Sequence, residues 1–358
     1  MSDVKTILSI NPGSTSTKIA VYEGAREVFK SNVEHPAEEL AKYPTAASQY
    51  DMRKQALLDA LEKAGVSVDR LDAIAARGGS LPPVKGGAYL VNTRMIDRLM
   101  NRPTSEHACN VAAVIGFELG EGLGIPAYIY DAICTDELTD IAKVTGNPAV
   151  PRLCLFHALN SRAQARRAAE KIGIAYGKAN IIVAHLGGGI TISLHSQGQV
   201  VDIVSDDEGP FSPERAGRLH CRSLIELCYS GEYSHLTMRK MQRGQGGLVA
   251  LLGTNSAIEV ERRIAAGDAK AELVYRAMAY QIAKGVGDLA TVVAGKVDAI
   301  VLTGGVAYST LLTGWIAERI QFIAPVEVLP GENELESLAL GVLRVLNGEE
   351  VAHDYDLP

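Results

Sequence analysis

Cysteine is scarce in this 358-residue sequence, and the few present are poorly placed for pairing. Cys109, Cys134, Cys154, Cys221 and Cys228 are odd in number and contain no C-x-x-C spacing, which argues against a disulfide framework or a cysteine zinc site. They read as reduced packing residues. No Lys/Arg block is dense enough to make a nucleic-acid stripe or a membrane patch, and the net charge is −7. No apolar run reaches the roughly 18 residues that a membrane span needs. The opening residues MSDVKT carry an early acid and lead straight into a strand, so no signal peptide is expected. These absences predict a cytoplasmic protein with neither a nucleic-acid nor a membrane partner.

What is present is 47% apolar content over a length too great for one ordinary domain, enough for two compact cores. Residues 7–22, ILSINPGSTSTKIAVY, organise the reading. An apolar strand runs into Asn11-Pro12-Gly13, the hydroxyls of Ser14, Thr15, Ser16 and Thr17 follow, and a second strand leaves from Lys18. That is a β-hairpin whose tip offers backbone N–H groups and four hydroxyls to phosphate oxygens, with Gly13 giving close approach. Near residue 181 the pattern recurs: IIVAHL, the turn Gly187-Gly188-Gly189, then ITISLH. The repetition predicts an internal duplication with the two hairpins lining a phosphate cleft.

Along the chain, a third strand is expected over 27–33, a helix over 48–65, and a short strand over 71–76 ending at Arg77-Gly78-Gly79. A charge followed by two glycines at a strand's carboxyl end lies where α/β sheets place ligands, although a surface cap would read the same. Thr104 is expected to cap a helix over 104–120, and a strand over 125–130 ends on Asp131, a metal-side or substrate-side acid or else a helix cap. Over 152–172 a helix is expected with Arg162, Arg166, Arg167 and Lys171 as a solvated face, and His157 reads as a core histidine or a catalyst. The second half repeats the order βββαβαβα, with an insertion at 205–268 whose opening, SDDEGPFSPERAGRLH, resembles an active-site loop. Gly304-Gly305 then follows a buried strand. The expected fold class is α/β: two duplicated domains, each a mixed five-stranded sheet with flanking helices. Boundaries are placed at 1–176 and 177–358, the last helix returning toward the first domain, with a hinge near 173–178 at Gly173 and Gly177.

In order, INPGSTSTKIAVYE, ARGGSLPPVKGGAYLVN, SEHACN, VAHLGGGITISL, DEGPFSPERAGRLH and LTGGVAYS resemble the blocks of the acetate and butyrate kinase family, over nearly the full length. The resemblance implies two ribonuclease-H-like, actin-like ATPase domains around an ATP cleft, and Mg²⁺- and ATP/ADP-dependent reversible phosphorylation of a short-chain acid in a homo-oligomeric enzyme. It implies that Asn11, Ser14 and Ser16 bind magnesium and the transferring phosphate, and that Arg77 and Arg215 clamp the carboxylate and the phosphoryl group. Asp131 would act near the metal, His185 would stabilise the transition state, and Gly187, Gly188, Gly189, Gly304 and Gly305 would hold ATP. Either Glu334 or Glu336 would supply the metal-binding glutamate. Acetate kinases have an asparagine at Gly188, a histidine-containing stretch at Arg77-Gly78-Gly79 and Arg-Ser-Gly-Asp at residues 215–218. These departures favour the butyrate branch, with Leu81, Pro82, Pro83 and Val84 as the acyl wall. The alternative within the family is an acetate or propionate kinase, and the further rivals are a sugar kinase, in which Asp131 would be the base, and a nucleotide-gated chaperone or filament subunit, for which no client-binding segment is seen after residue 350.

Overall fold

In the computed structural model, residues 4–357 are described; the opening Met1-Ser2-Asp3, on which part of the leader reading rests, lies outside them. The chain forms two compact units, Met1–Asp136 with Asn333–Pro358, and Glu137–Glu332.

The first unit is built on β1 (Thr6–Pro12), β2 (Ser16–Glu23), β3 (Arg26–Glu34), β4 (Ala73–Arg77), β5 (Ala88–Leu90) and β6 (Ala127–Tyr130). From one edge the sheet runs β3, β2, β1, β4, β6, β5, and the short strand His353–Asp354 completes seven. β1 and β4 are buried along almost their whole length, as central strands covered on both faces must be, whereas β3 alternates and lies at the edge. Leu8, Ile10, Ile19 and Val21 pack with Leu57, Leu61, Met95, Leu99, Val111 and Ile115. The helix Glu334–Leu346 lies on β1, β2, β4 and β6, and Gly341 lets it seat on Tyr130, since a Cβ there would stand 2.5 Å from the ring. The sheet has seven strands and not five because Ala88–Leu90 and His353–Asp354 pair beyond β6. Neither is long enough to show an alternation in sequence.

The second unit carries β7 (Asn180–Leu186), β8 (Ile190–Ser196), β9 (Gln199–Val204), β10 (Ala299–Gly304) and β11 (Val326–Pro330) in the order β11, β10, β7, β8, β9. That five-stranded order is the same as β6, β4, β1, β2, β3 in the first unit, with the hairpin antiparallel and the next two strands parallel in both. The duplication is therefore topological. Ile182, Ala184, Ile192 and Leu302 pack beneath the helices Ala269–Val292 and Thr310–Ile320. Asp268 and Ser309 cap those helices, accepting from the N–H groups of Ala271 and Leu312. The insertion holds four short helices and contributes Leu248 and Val260 to this core.

The division differs from a cut at 176/177. The helix Ala158–Lys171 packs on β7 and β10, so it belongs to the second unit even though it follows β6 in the chain. The chain passes between units at Asp136/Glu137 and Glu332/Asn333, which leaves the expected hinge 173–178 inside the second unit. Arg162 is not solvated: it is 4% exposed, lies 2.6 Å from Glu137 and donates to the Gly198 carbonyl. Thr104 does not cap; its hydroxyl donates to Ser80 O, and the helix begins at Asn110. No helix among the described residues is long and apolar enough to cross a membrane.

Candidate active site

In the first unit the β1–β2 turn is closed by Gly13 N–H donating to Ser16 O at 2.8 Å. Ser14 and Thr15 are exposed and Ser16 is half-buried, but Thr17 is fully buried and bonds inward to Arg53 and His35. Three hydroxyls, not four, therefore remain for a ligand. A Cβ on Gly13 would meet only Ser16 atoms, the closest at 3.7 Å, so the turn itself does not require glycine there.

Arg77 ends β4 and is buried. Its Nη1 donates to the backbone carbonyl of Asp131 at 2.9 Å, and its Nε lies 3.9 Å from Glu334. Asp131 has φ +42°, and its Oδ1 accepts from Gly87 N at 2.8 Å. Asp131 is buried, and it holds the Arg77 guanidinium through its carbonyl and the Gly87 loop through its carboxylate. The glycines after Arg77 serve packing: a Cβ at Gly78 would stand 2.5 Å from Ala132, and one at Gly79 2.7 Å from Asn110 and Leu99. Leu81 and Val84 are core residues, so they do not form a free acyl wall.

Glu334 opens its helix and accepts from Asn11 Nδ2 at 2.5 Å. The Glu336 charge is felt at Tyr22, whose hydroxyl pKa is raised by burial, by Glu27 and then by Glu336. The carboxylate of Glu334 and the amide oxygen of Asn11 are hard donors suited to Mg²⁺. Among the described residues no group of three His, Cys, Asp or Glu side chains could hold a metal alone, so magnesium here would share its shell with water and phosphate oxygens.

In the second unit the carboxyl ends of β7, β10 and β11 lie side by side and carry His185, Thr303 and Gly331. His185 is buried. Asn160 Nδ2 lies 2.8 Å from its Nδ1, which puts the ring proton on Nε2, and Nε2 stands 2.9 Å from Glu332. His157 stacks on His185, with ring centroids 3.7 Å apart, and its Nδ1 is 2.9 Å from the Thr191 hydroxyl. Sequence reading left His157 undecided and missed Asn160, Thr303 and Glu332. Only the parallel pairing of β7 with β10 brings these residues together.

Gly188 is the exposed tip of the Gly187–Gly189 turn, and its carbonyl accepts from Ser212 Oγ at 2.6 Å and from Glu214 N at 3.2 Å. Arg215 lies across Gly189, where a Cβ would stand 2.2 Å from Nη1. Its guanidinium pairs with buried Asp206, which Arg243 also meets at 3.0 Å. Burial, then Arg243, lowers the Arg215 pKa to about 10, so it stays charged at neutral pH. Gly304 has φ +89°, and a Cβ there would strike Leu186 O at 2.4 Å, so this glycine is fixed by strand packing. Gly305 is exposed with open space where a Cβ would sit.

The fold is that of solved acetate and propionate kinases. An acetate kinase from Porphyromonas gingivalis superposes with a TM-score of 0.75 at 19% identity, covering 96% of this chain and 100% of that one. A propionate kinase from Francisella tularensis gives 0.72 at 18%, covering 94% and 98%, and an acetate kinase from Entamoeba histolytica gives 0.72 at 14%, covering 94% and 98%. In sequence, residues 150–319 match the Acetokinase family.

Proposed function

We propose that this protein is a short-chain carboxylate kinase that transfers the γ-phosphoryl group of ATP to a carboxylate, reversibly, giving an acyl phosphate. The observation that carries this reading is that the span matching the Acetokinase family, 150–319, contains the whole arrangement of His157, His185, the glycine turn and Arg215.

A carboxylate with a pKa near ~4 is already ionised at neutral pH, so transfer needs no general base. The difficulty is charge, because two anions must react. The protein's work is to supply fixed cations and N–H donors around the transferring group. Arg77 is assigned to the carboxylate, with Asp131 as its positioning residue. His185, its ring set by Asn160 and His157, is assigned with Arg215 to the phosphoryl oxygens. Ser14 and Ser16 hold phosphate oxygens, and Gly187, Gly188 and Gly305 take ATP, while Gly189 leaves room for Arg215 and Gly304 keeps β10 against β7. Asn11 and Glu334 would hold magnesium, which supplies charge neutralisation when bound. The Asp131 carboxylate accepts from Gly87 N, which speaks against the free base that a sugar kinase needs.

For the acceptor, the kinases of similar fold named for acetate and propionate support those acids ahead of butyrate. The test is hydroxamate trapping of acyl phosphate with Mg·ATP and acetate, propionate, butyrate, isobutyrate or valerate, with glucose as a control. A trapped product with any of the acids supports the reading, and their relative kcat/KM values rank them. Phosphorylation of glucose with no trapped hydroxamate would overturn it.

A further inference from the structure

Behind the β1–β2 turn lies a buried cation that has no ion-pair partner among the described residues. Arg53, on the helix Tyr50–Lys63, is 0% exposed. Its Nη1 donates to Ser16 O at 3.0 Å and to Thr17 Oγ1 at 3.0 Å, its Nη2 to Ser14 O at 3.4 Å, and its Nε to Gln49 Oε1 at 2.9 Å. Every one of these acceptors is neutral. Glu34, opposite Ser16 in the sheet register, is exposed and forms no ion pair with Arg53. Two of the three carbonyl and hydroxyl partners on the turn belong to the serines whose side chains face outward. Thr17 continues the network to His35, whose pKa is lowered by burial and then by Arg53 itself.

A guanidinium taken wholly out of water normally carries a carboxylate with it, because neutral hydrogen bonds do not replace the lost hydration of a full charge. A hydrophobic helix position needs no arginine, and a turn of this kind closes without one. The uncompensated charge therefore points outward through the peptide groups of residues 14–17, which it also orders. We propose that Arg53 is a positioning residue whose buried charge makes this turn a binding site for a phosphoryl dianion, the bound anion serving as its missing counter-ion. This inference rests on the phosphate role assigned to Ser14 and Ser16. It adds a residue that touches no substrate and lies 24 positions before Arg77 in the chain.

Inorganic phosphate is the probe. Thermal unfolding of the full chain is followed with and without phosphate at constant ionic strength, for the wild type, Arg53→Met and Arg53→Lys. Phosphate should raise the wild-type Tm, and Arg53→Met should weaken phosphate binding by at least about tenfold, the size of one charge-assisted contact. Arg53→Lys keeps the charge but cannot span three acceptors, so its unliganded Tm should fall while its phosphate response survives. In turnover assays Arg53→Met should raise KM for acyl phosphate more than it lowers kcat. If Arg53→Met does not fold, the Arg53→Lys response alone decides. An unchanged phosphate response in Arg53→Met, a folded Arg53→Lys without one, or a wild type that phosphate does not stabilise would each overturn the proposal. A wild type with an Arg53-dependent phosphate response but no trapped hydroxamate would sink the kinase reading and leave this one standing.

Discussion

Arg77 and Asp131 meet across neighbouring parallel strands, the guanidinium of one donating to the main-chain carbonyl of the other at 2.9 Å. The carboxylate of Asp131 is turned away, onto Gly87 N. The pair joins a side chain to a backbone shape, and this separates two roles that sequence alone runs together. Arg77→Ala should cost at least about 10²-fold in turnover, as loss of a transition-state charge donor does. Asp131→Asn retains an acceptor for Gly87 and leaves the carbonyl that holds Arg77 unchanged, so its turnover should stay within about threefold of wild type. A loss beyond about 10³-fold in Asp131→Asn, measured by hydroxamate formation, would return Asp131 to the role of a catalytic acid or base.

Gly304 and Gly305 are adjacent but do different things. At Gly304 a Cβ would meet the Leu186 backbone and φ is +89°, so Gly304→Ala should cost about 3 kcal/mol or more in urea unfolding, combining backbone strain with a clash that no rotamer relieves. At Gly305 nothing lies within 4 Å, and Gly305→Ala should leave stability within about 0.5 kcal/mol while raising KM for ATP. Equal stability losses in the two variants would contradict this division.

Much of this was legible beforehand, and the reasons for success and failure are physical. Both hairpins and the order of elements along the second half follow from buried runs interrupted by glycine, a local signal. Arg162 was misread as solvated because helical spacing shows which residues share a face but not that Glu137 waits there. Likewise His157, Asn160, Thr303 and Glu332 are up to 175 positions apart, from 157 to 332, and gather at His185 only through strand pairing. The choice between Glu334 and Glu336 needed the helix phase against Asn11, which sequence leaves free by a third of a turn or more.

His195 should give the stability curve a slope in acid. It is wholly buried on β8 between Tyr176 and Ser193, and burial, then Arg162 and Arg166, holds its pKa well below 6.5. The folded ring is neutral while the unfolded one charges, so the unfolded state binds more protons below the unfolded pKa. This contribution is thus fully present above 6.5 and is lost as pH falls from there toward the folded value, at up to about 1.4 kcal/mol per pH unit. Urea midpoints from pH 7.5 to 5 should fall accordingly. His195→Gln, which can still hydrogen-bond but cannot titrate, should have a flatter profile; an unchanged slope would assign it to other groups.

Gly189 and Arg215 should act as one unit. Arg215 lies flat across the backbone at Gly189, where a methyl group would stand 2.2 Å from Nη1 and 2.4 Å from Cζ. The obstacle is the far end of a flexible side chain, so Gly189→Ala need not unfold the protein; the guanidinium can swing aside, leaving Asp206 to Arg243, which already lies 3.0 Å from it. What it loses is position. If Arg215 works by holding its charge at one place on the phosphoryl group, Gly189→Ala and Arg215→Ala should each lower kcat/KM by about 10²-fold, with the Tm of Gly189→Ala near that of wild type. The double variant should then be no worse than either single one, because a displaced arginine and an absent one are equivalent to the substrate. Multiplied losses in the double variant would mean that the two residues act separately, with Gly189 serving the nucleotide through its own backbone.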